Sequence, residues 1–108
     1  MTGETCPIAL AAKLLGDKWT LIVLRDLAKG PCRFKSLEQS AEGISPSMLT
    51  ARLRDLEERG LISRRSYNEI PPRVEYTLTD KGQDVLPVIE ALRQYGSKWL
   101  LAHQPRAS

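Results

Sequence analysis

Histidine and cysteine are scarce in this chain of 108 residues, with one His at position 103 and two Cys at positions 6 and 32. Neither cysteine has a second Cys or His at ligand spacing, so a zinc site and a disulfide framework are both excluded. Two thiols in a cytosolic chain are expected to be reduced at rest. No apolar run approaches the ~18 residues needed to cross a bilayer. The stretch Met1 to Glu4 also lacks the basic-then-apolar layout of a secretory leader. A cytoplasmic protein with no membrane partner is therefore expected. There is also no nucleophile–base pair, no metal-ligand cluster and no Gly-rich phosphate loop. The sequence predicts no enzyme, no cofactor and no metal.

What is present fits one domain over residues 1–108. The net charge is +3. Between Lys29 and Arg65 stand eight basic residues and five acidic ones, so that segment holds the whole excess. A local basic field suits a polyanion.

The punctuation of the chain predicts its elements. Residues 8 to 15 read as a short apolar helix stopped by Gly16. Asp17 caps a second helix carrying Trp19, Ile22, Val23, Leu24 and Leu27. Lys29-Gly30-Pro31 ends it. Phe34, Leu37 and Ala41 mark a third, short helix, followed by a turn at Glu42-Gly43. Ser45 then caps a fourth, with Pro46 in its first turn, where a missing N–H costs nothing. That helix is expected over about 45–59, with Leu49, Leu53 and Leu56 on one stripe and Gly60 closing it. After Gly60 the period changes to that of strands. A hairpin is expected over about 61–78, its second strand alternating Val74, Tyr76 and Leu78 against Glu75 and Thr77. Thr79 caps a last helix over about 80–103, which Pro87 should kink.

Helix, helix, turn, helix and hairpin is the order of a winged helix-turn-helix. The expected fold is mainly α with a small β-hairpin (α+β). On a helical wheel, Ser47, Ala51, Arg54 and Glu58 lie opposite the leucine stripe, with Thr50 and Asp55 flanking. Small residues early in the helix (Ser45, Ser47, Thr50, Ala51) let its backbone approach base edges, and Arg54 reaches a guanine edge or a phosphate. Arg52 joins these as a further DNA-binding candidate. Lys35, Arg64, Arg65 and Arg73 are candidates for backbone phosphate. Strand alternation turns Arg64 and Arg65 to opposite faces, so one of the two is expected to touch DNA. Glu57 and Glu58 fall in the last turn, where the helix is expected to leave the groove.

These residues closely resemble the HxlR-type transcription regulators, a branch near the MarR-like winged helix proteins. The resemblance runs from Cys6 to about Leu100. It rests on Cys6-Pro7-Ile8, Leu14-Leu15-Gly16-Asp17-Lys18-Trp19 and Gly30-Pro31-Cys32-Arg33-Phe34. It continues through Gly43-Ile44-Ser45, Leu49, Arg52-Leu53, Leu56-Glu57, Gly60-Leu61-Ile62 and Arg64. It closes on Pro72 to Gly82 and Trp99. The resemblance implies a homodimer joined through the first and last helices, with the fourth helix in the major groove and the wing beside the minor groove. It also implies that Cys6 serves as a sensor of oxidants or electrophiles, as a cysteine at this place does in some members. The plain alternative is a small packed residue. Cys32 falls outside the family pattern, and a role as partner to Cys6 stays open.

The dimer has independent support. Leu86, Ile89, Leu92, Tyr95, Trp99 and Leu100 on the last helix, with Ile8 on the first, offer more apolar surface than one small domain covers. A two-fold dimer predicts an inverted-repeat operator with half-sites about 34 Å, or a multiple of that, apart. The second reading is a winged helix used for protein–protein contact alone. The Ser47/Thr50/Ala51/Arg54 face, free of aromatics and aliphatics, favours double-stranded DNA.

Overall fold

The computed structural model describes residues 5–101. The first helix, α1 (Pro7–Leu15), starts from an extended Cys6 with Pro7 at its first position. Asp17 then caps α2 (Lys18–Leu27), its carboxylate accepting the Thr20 N–H at 3.0 Å. The short α3 (Phe34–Ser40) leads through a turn at Gly43 to α4 (Pro46–Glu58). Ser45 caps α4 by accepting the Met48 N–H at 3.1 Å, so the predicted Ser-Pro entry is the one used. Gly60 closes the helix at φ +81°, a left-handed position that glycine takes without a side-chain penalty.

Leu49, Leu53 and Leu56 of α4 pack against Val23, Leu24 and Leu27 of α2 and Leu37 of α3, with Ala41, Ile44, Leu61 and Ile62 closing one core. The hairpin pairs β1 (Ile62–Tyr67) with β2 (Arg73–Leu78) antiparallel, Ile62 opposite Leu78 and Tyr67 opposite Arg73. Its inner edge is extended by one residue that the sequence reading did not place in the sheet. Cys32 donates its N–H to the Tyr76 carbonyl at 3.0 Å and accepts the Tyr76 N–H at 2.8 Å. The architecture is a winged helix: three packed helices and a hairpin beside the third of them.

After β2 the chain returns to the end of α4. The Thr79 N–H reaches the Leu61 carbonyl at 3.0 Å, the Thr79 hydroxyl donates to the Gly60 carbonyl at 2.6 Å, and Lys81 Nζ donates to the Arg59 carbonyl at 2.7 Å. Gly82 permits this closeness, because a Cβ there would lie 2.2 Å from the Leu61 carbonyl oxygen.

The expected last helix, about 80–103, is instead divided. α5 (Asp80–Gln83) is followed by a break at residues 84–85, then α6 (Leu86–Tyr95), then a π-helical turn, Gly96–Leu101. Pro87 explains the break. It has no N–H for the Gln83 carbonyl, and its ring collides with that carbonyl in a straight helix. Residues 102–103 of the expected helix, His103 included, lie outside the described residues. Neither α1 nor α6 has a buried residue. The radius of gyration is 15.8 Å, against about 13 Å for a compact chain of this length, and α1 and α6 touch the core along one edge only, through Leu14, Leu15 and Ile89.

Candidate nucleic-acid interface

The leucine stripe fixes which way α4 faces. With Leu49, Leu53 and Leu56 sealed inside, Ser47, Thr50, Ala51, Arg54 and Glu58 are all exposed. Ser45 is half-buried by its capping bond, and its Oγ lies 3.3 Å from that of Ser47. No hydrogen bond or ion pair among the described residues holds Arg54, Lys35 or Arg64, so these cations are available to an anion. Lys35 is exposed on α3.

The hairpin sorts its arginines as alternation predicts. Arg64 pairs with Tyr76 on the face that carries Ile62 and Leu78, whereas Arg65 pairs with Glu75 on the other. Arg64 therefore shares a groove of about 290 Å³ with Thr50, Arg54, Glu57 and Tyr76, where α4 meets the wing. Glu57, expected where the helix leaves the groove, lines this same hollow with the two arginines. Arg65 lies over the Tyr67 ring, 5.0 Å from its centroid.

Two candidate cations are already engaged within the protein. Arg73 donates to Glu69 at 2.9 Å and to Glu75 at 3.2 Å, and its guanidinium lies 3.8 Å from the Tyr67 centroid. Its charge is spent stiffening the hairpin, which weakens the expectation of a phosphate contact. Arg52 differs more sharply from the sequence expectation. It leaves the flank of α4 and closes on Asp17, with Nε 2.6 Å from Oδ2 and Nη2 3.3 Å from Oδ1. That guanidinium, with the Thr20 N–H and hydroxyl, holds the Asp17 carboxyl below its usual value, outweighing the opposing effect of burial. No sequence signal marks this pair, because its partners are 35 residues apart.

The two thiols differ. Cys6 is exposed at the start of α1, so within one protomer it is not the packed residue of the plain alternative. Cys32 is half-buried, its Sγ 3.4 Å from the Gly30 carbonyl oxygen, and burial together with the neighbouring Asp26 pushes its thiol pKa up. Such a thiol is a poor nucleophile.

Among the residues expected at a dimer seam, Ile8 is 80 % exposed, and Leu92, Tyr95, Trp99 and Leu100 are also exposed. Leu86 is half-buried, and Ile89 packs against the protein's own core. Leu10, Val88 and Leu101 are exposed apolar residues of the same elements and were not among those expected at the seam. No helix among the described residues is long and apolar enough to cross a membrane.

Residues 14–104 match the model of a family described as HxlR-like helix-turn-helix. The chain is 48 % identical over 99 residues to an HTH-type transcriptional regulator of Synechocystis sp. that is itself uncharacterized, covering 92 % of this chain and 73 % of that one. It superposes with a TM-score of 0.87 on a Porphyromonas gingivalis regulator assigned to the MarR family, at 36 % identity over 93 % of this chain and 98 % of that one. It superposes at 0.82 on the oxidized form of the redox regulator HypR, at 32 % identity over 86 % of this chain and 96 % of that one.

Proposed function

The chain belongs to the HxlR-like helix-turn-helix family of transcription regulators, and from that premise we propose that it is a cytoplasmic homodimer binding an inverted-repeat DNA operator. The observation that carries the reading is the division of α4 into a sealed leucine stripe and an opposite face of small residues with the unpaired Arg54. Ser47, Thr50 and Ala51 let the helix backbone enter the major groove, and Arg54 reads a base edge there. Ser45 fixes the start of that helix. Lys35 and Arg64 hold flanking phosphates, with Arg65 and Arg73 in lesser roles. Ile8, Leu92, Tyr95, Trp99 and Leu100, with the edge of Leu86, form the seam between the two copies, and Ile89 backs it from the core.

Selection of bound DNA from a random pool tests binding, symmetry and half-site spacing together. On the selected sequence, Arg54→Ala is expected to cost about 1 to 3 kcal/mol and to relax specificity. Arg64→Ala should weaken all sequences alike and flatten the salt dependence by about one unit. Fluorescence anisotropy across a salt series separates the two, and unchanged binding in both variants rejects this docking.

A redox response is favoured by the exposure of Cys6 beside the bare apolar surface, together with the likeness to a redox regulator. A peroxide takes a thiolate to a sulfenic acid. Such treatment should alter operator affinity in the wild type and leave Cys6→Ser unmoved. An equal response in both ends the sensor reading.

A further inference from the structure

The hydrophobic driving force has no direction, so the tilt of a packed helix rests on how its side chains interlock and on any directional polar contact it makes. A forked guanidinium on a carboxylate does have direction. Arg52 provides such a contact from the middle of α4, reaching Asp17 through two nitrogens. Asp17 cannot simply follow it, since the same carboxylate caps α2 through the Thr20 N–H and hydroxyl, both at 3.0 Å. One residue earlier, α1 ends with the Gly16 N–H on the Ala12 carbonyl at 2.7 Å. The start of α2 and the middle of α4 therefore meet at one carboxylate, in the residue that follows the end of α1. Lys81 and Thr79 hold the far end of α4 at the root of α5.

We propose that Asp17 and Arg52 are positioning residues for DNA recognition. Their ion pair sets the tilt of α4 against the α1–α2 elbow, and through the bare apolar surface of α1 and α6 it sets the separation of the two reading helices in a dimer. The proposal rests on the DNA-binding reading above. Leverage makes the contact matter. α4 has 13 residues and so spans about 20 Å. A tilt of roughly 10° about one end moves the other by about 3 Å, enough to carry a side chain out of hydrogen-bond reach.

The test uses the full-length protein and the oligonucleotide selected with the wild type. Asp17→Asn keeps a capping side chain on α2, Arg52→Gln removes the charge, and Arg52→Lys keeps the charge without the fork. Each is expected to bind the selected sequence about tenfold more weakly relative to a shuffled one, and the double variant Asp17→Asn/Arg52→Gln no more weakly than the worse single. The salt slope should stay at the wild-type value. Electrostatics alone predict the opposite sign for Asp17→Asn, since removing an acidic group near DNA tightens binding.

A direct phosphate contact by Arg52 predicts a flatter salt slope in Arg52→Gln and normal binding in Arg52→Lys. Either result overturns the positioning role, as does wild-type affinity in all three variants. A pool in which the wild type enriches no sequence overturns the DNA reading itself, so the two failures are distinguishable. Thermal melts of each variant, recorded alongside, confirm that binding is measured on folded protein.

Discussion

Leu49, Leu53 and Leu56 on α4 are each at most 2 % exposed, whereas Leu92, Tyr95 and Trp99 at the other end of the chain keep about half of their surface in water. Both segments carry apolar residues at helical spacing. The first has α2 and α3 to pack against, while α6 meets α2 along one edge and leaves its remaining apolar side bare. Helical periodicity thus announces that a face wants covering and says nothing of what covers it. In α4 the cover is the protein itself. In α1 and α6 no cover is present among the described residues of the protomer, and the proposed function assigns it to a second copy.

Matched truncations sharpen this contrast. Leu53→Ala should cost about 2 to 5 kcal/mol, because it leaves a cavity in a packed core. Urea titration should show that loss at every protein concentration. Leu92→Ala makes the same chemical change on the bare surface. Its cost should appear only at concentrations where the wild type is a dimer and vanish on dilution to monomers, since a dimer's stability depends on protomer concentration. A Leu92→Ala loss, relative to the wild type, that is equal at every concentration would remove the distinction between the two faces.

Gly82 tests the boundary between the regions. Gly82→Ala must push the α5 backbone off the Leu61 carbonyl and loosen the joint that carries α6. About 1 to 3 kcal/mol is expected, as for other overpacked positions. A variant that melts with the wild type would show that α5 shifts freely. Next in size, Trp99→Ala should weaken self-association by about 2 kcal/mol if the residue anchors the seam, with little effect on helix content. Sedimentation equilibrium reads it directly.

The elements were largely legible in the sequence because their ends are written in local chemistry. Asp17, Ser45 and Thr79 cap the helices that follow them, and Gly60 ends α4. The core stripe and the free face of α4 follow from period alone. What could not be read depends on contacts between distant segments. Cys32 joins the sheet through a single residue, too short to show alternation. Arg73 and Arg52 look like any surface arginine until Glu69, Glu75 and Asp17 are brought to them. Pro87 announced a kink, but not the π-helical turn beyond it, which rotates Trp99, Leu100 and Leu101 through a smaller angle per residue than a regular helix would. The candidate cations therefore divide in a way the sequence does not show. Arg54, Arg64 and Lys35 remain available, and Arg52 and Arg73 serve the scaffold first.

The smallest expected effect separates the scaffold from the interface through pH. The folded-state pKa of Asp17 is lowered from its ordinary 3.8, chiefly by Arg52 and further by the Thr20 donors. A carboxyl with a depressed folded pKa contributes stability that is fully present above the unfolded value. That contribution fades as pH falls through the folded value. The ion pair therefore adds nothing to pH dependence near neutrality and declines below pH ~4. Because the Asp17 side chain keeps 37 % of its surface in water, solvent screening holds the contribution to about 1 kcal/mol or less. Urea midpoints of wild type and Asp17→Asn between pH ~6 and ~3 should converge as acid protonates the carboxyl. Curves that remain parallel would mean the pair contributes nothing to folding, leaving orientation of α4 as its whole effect, whereas a gap that widens in acid would contradict the assigned direction.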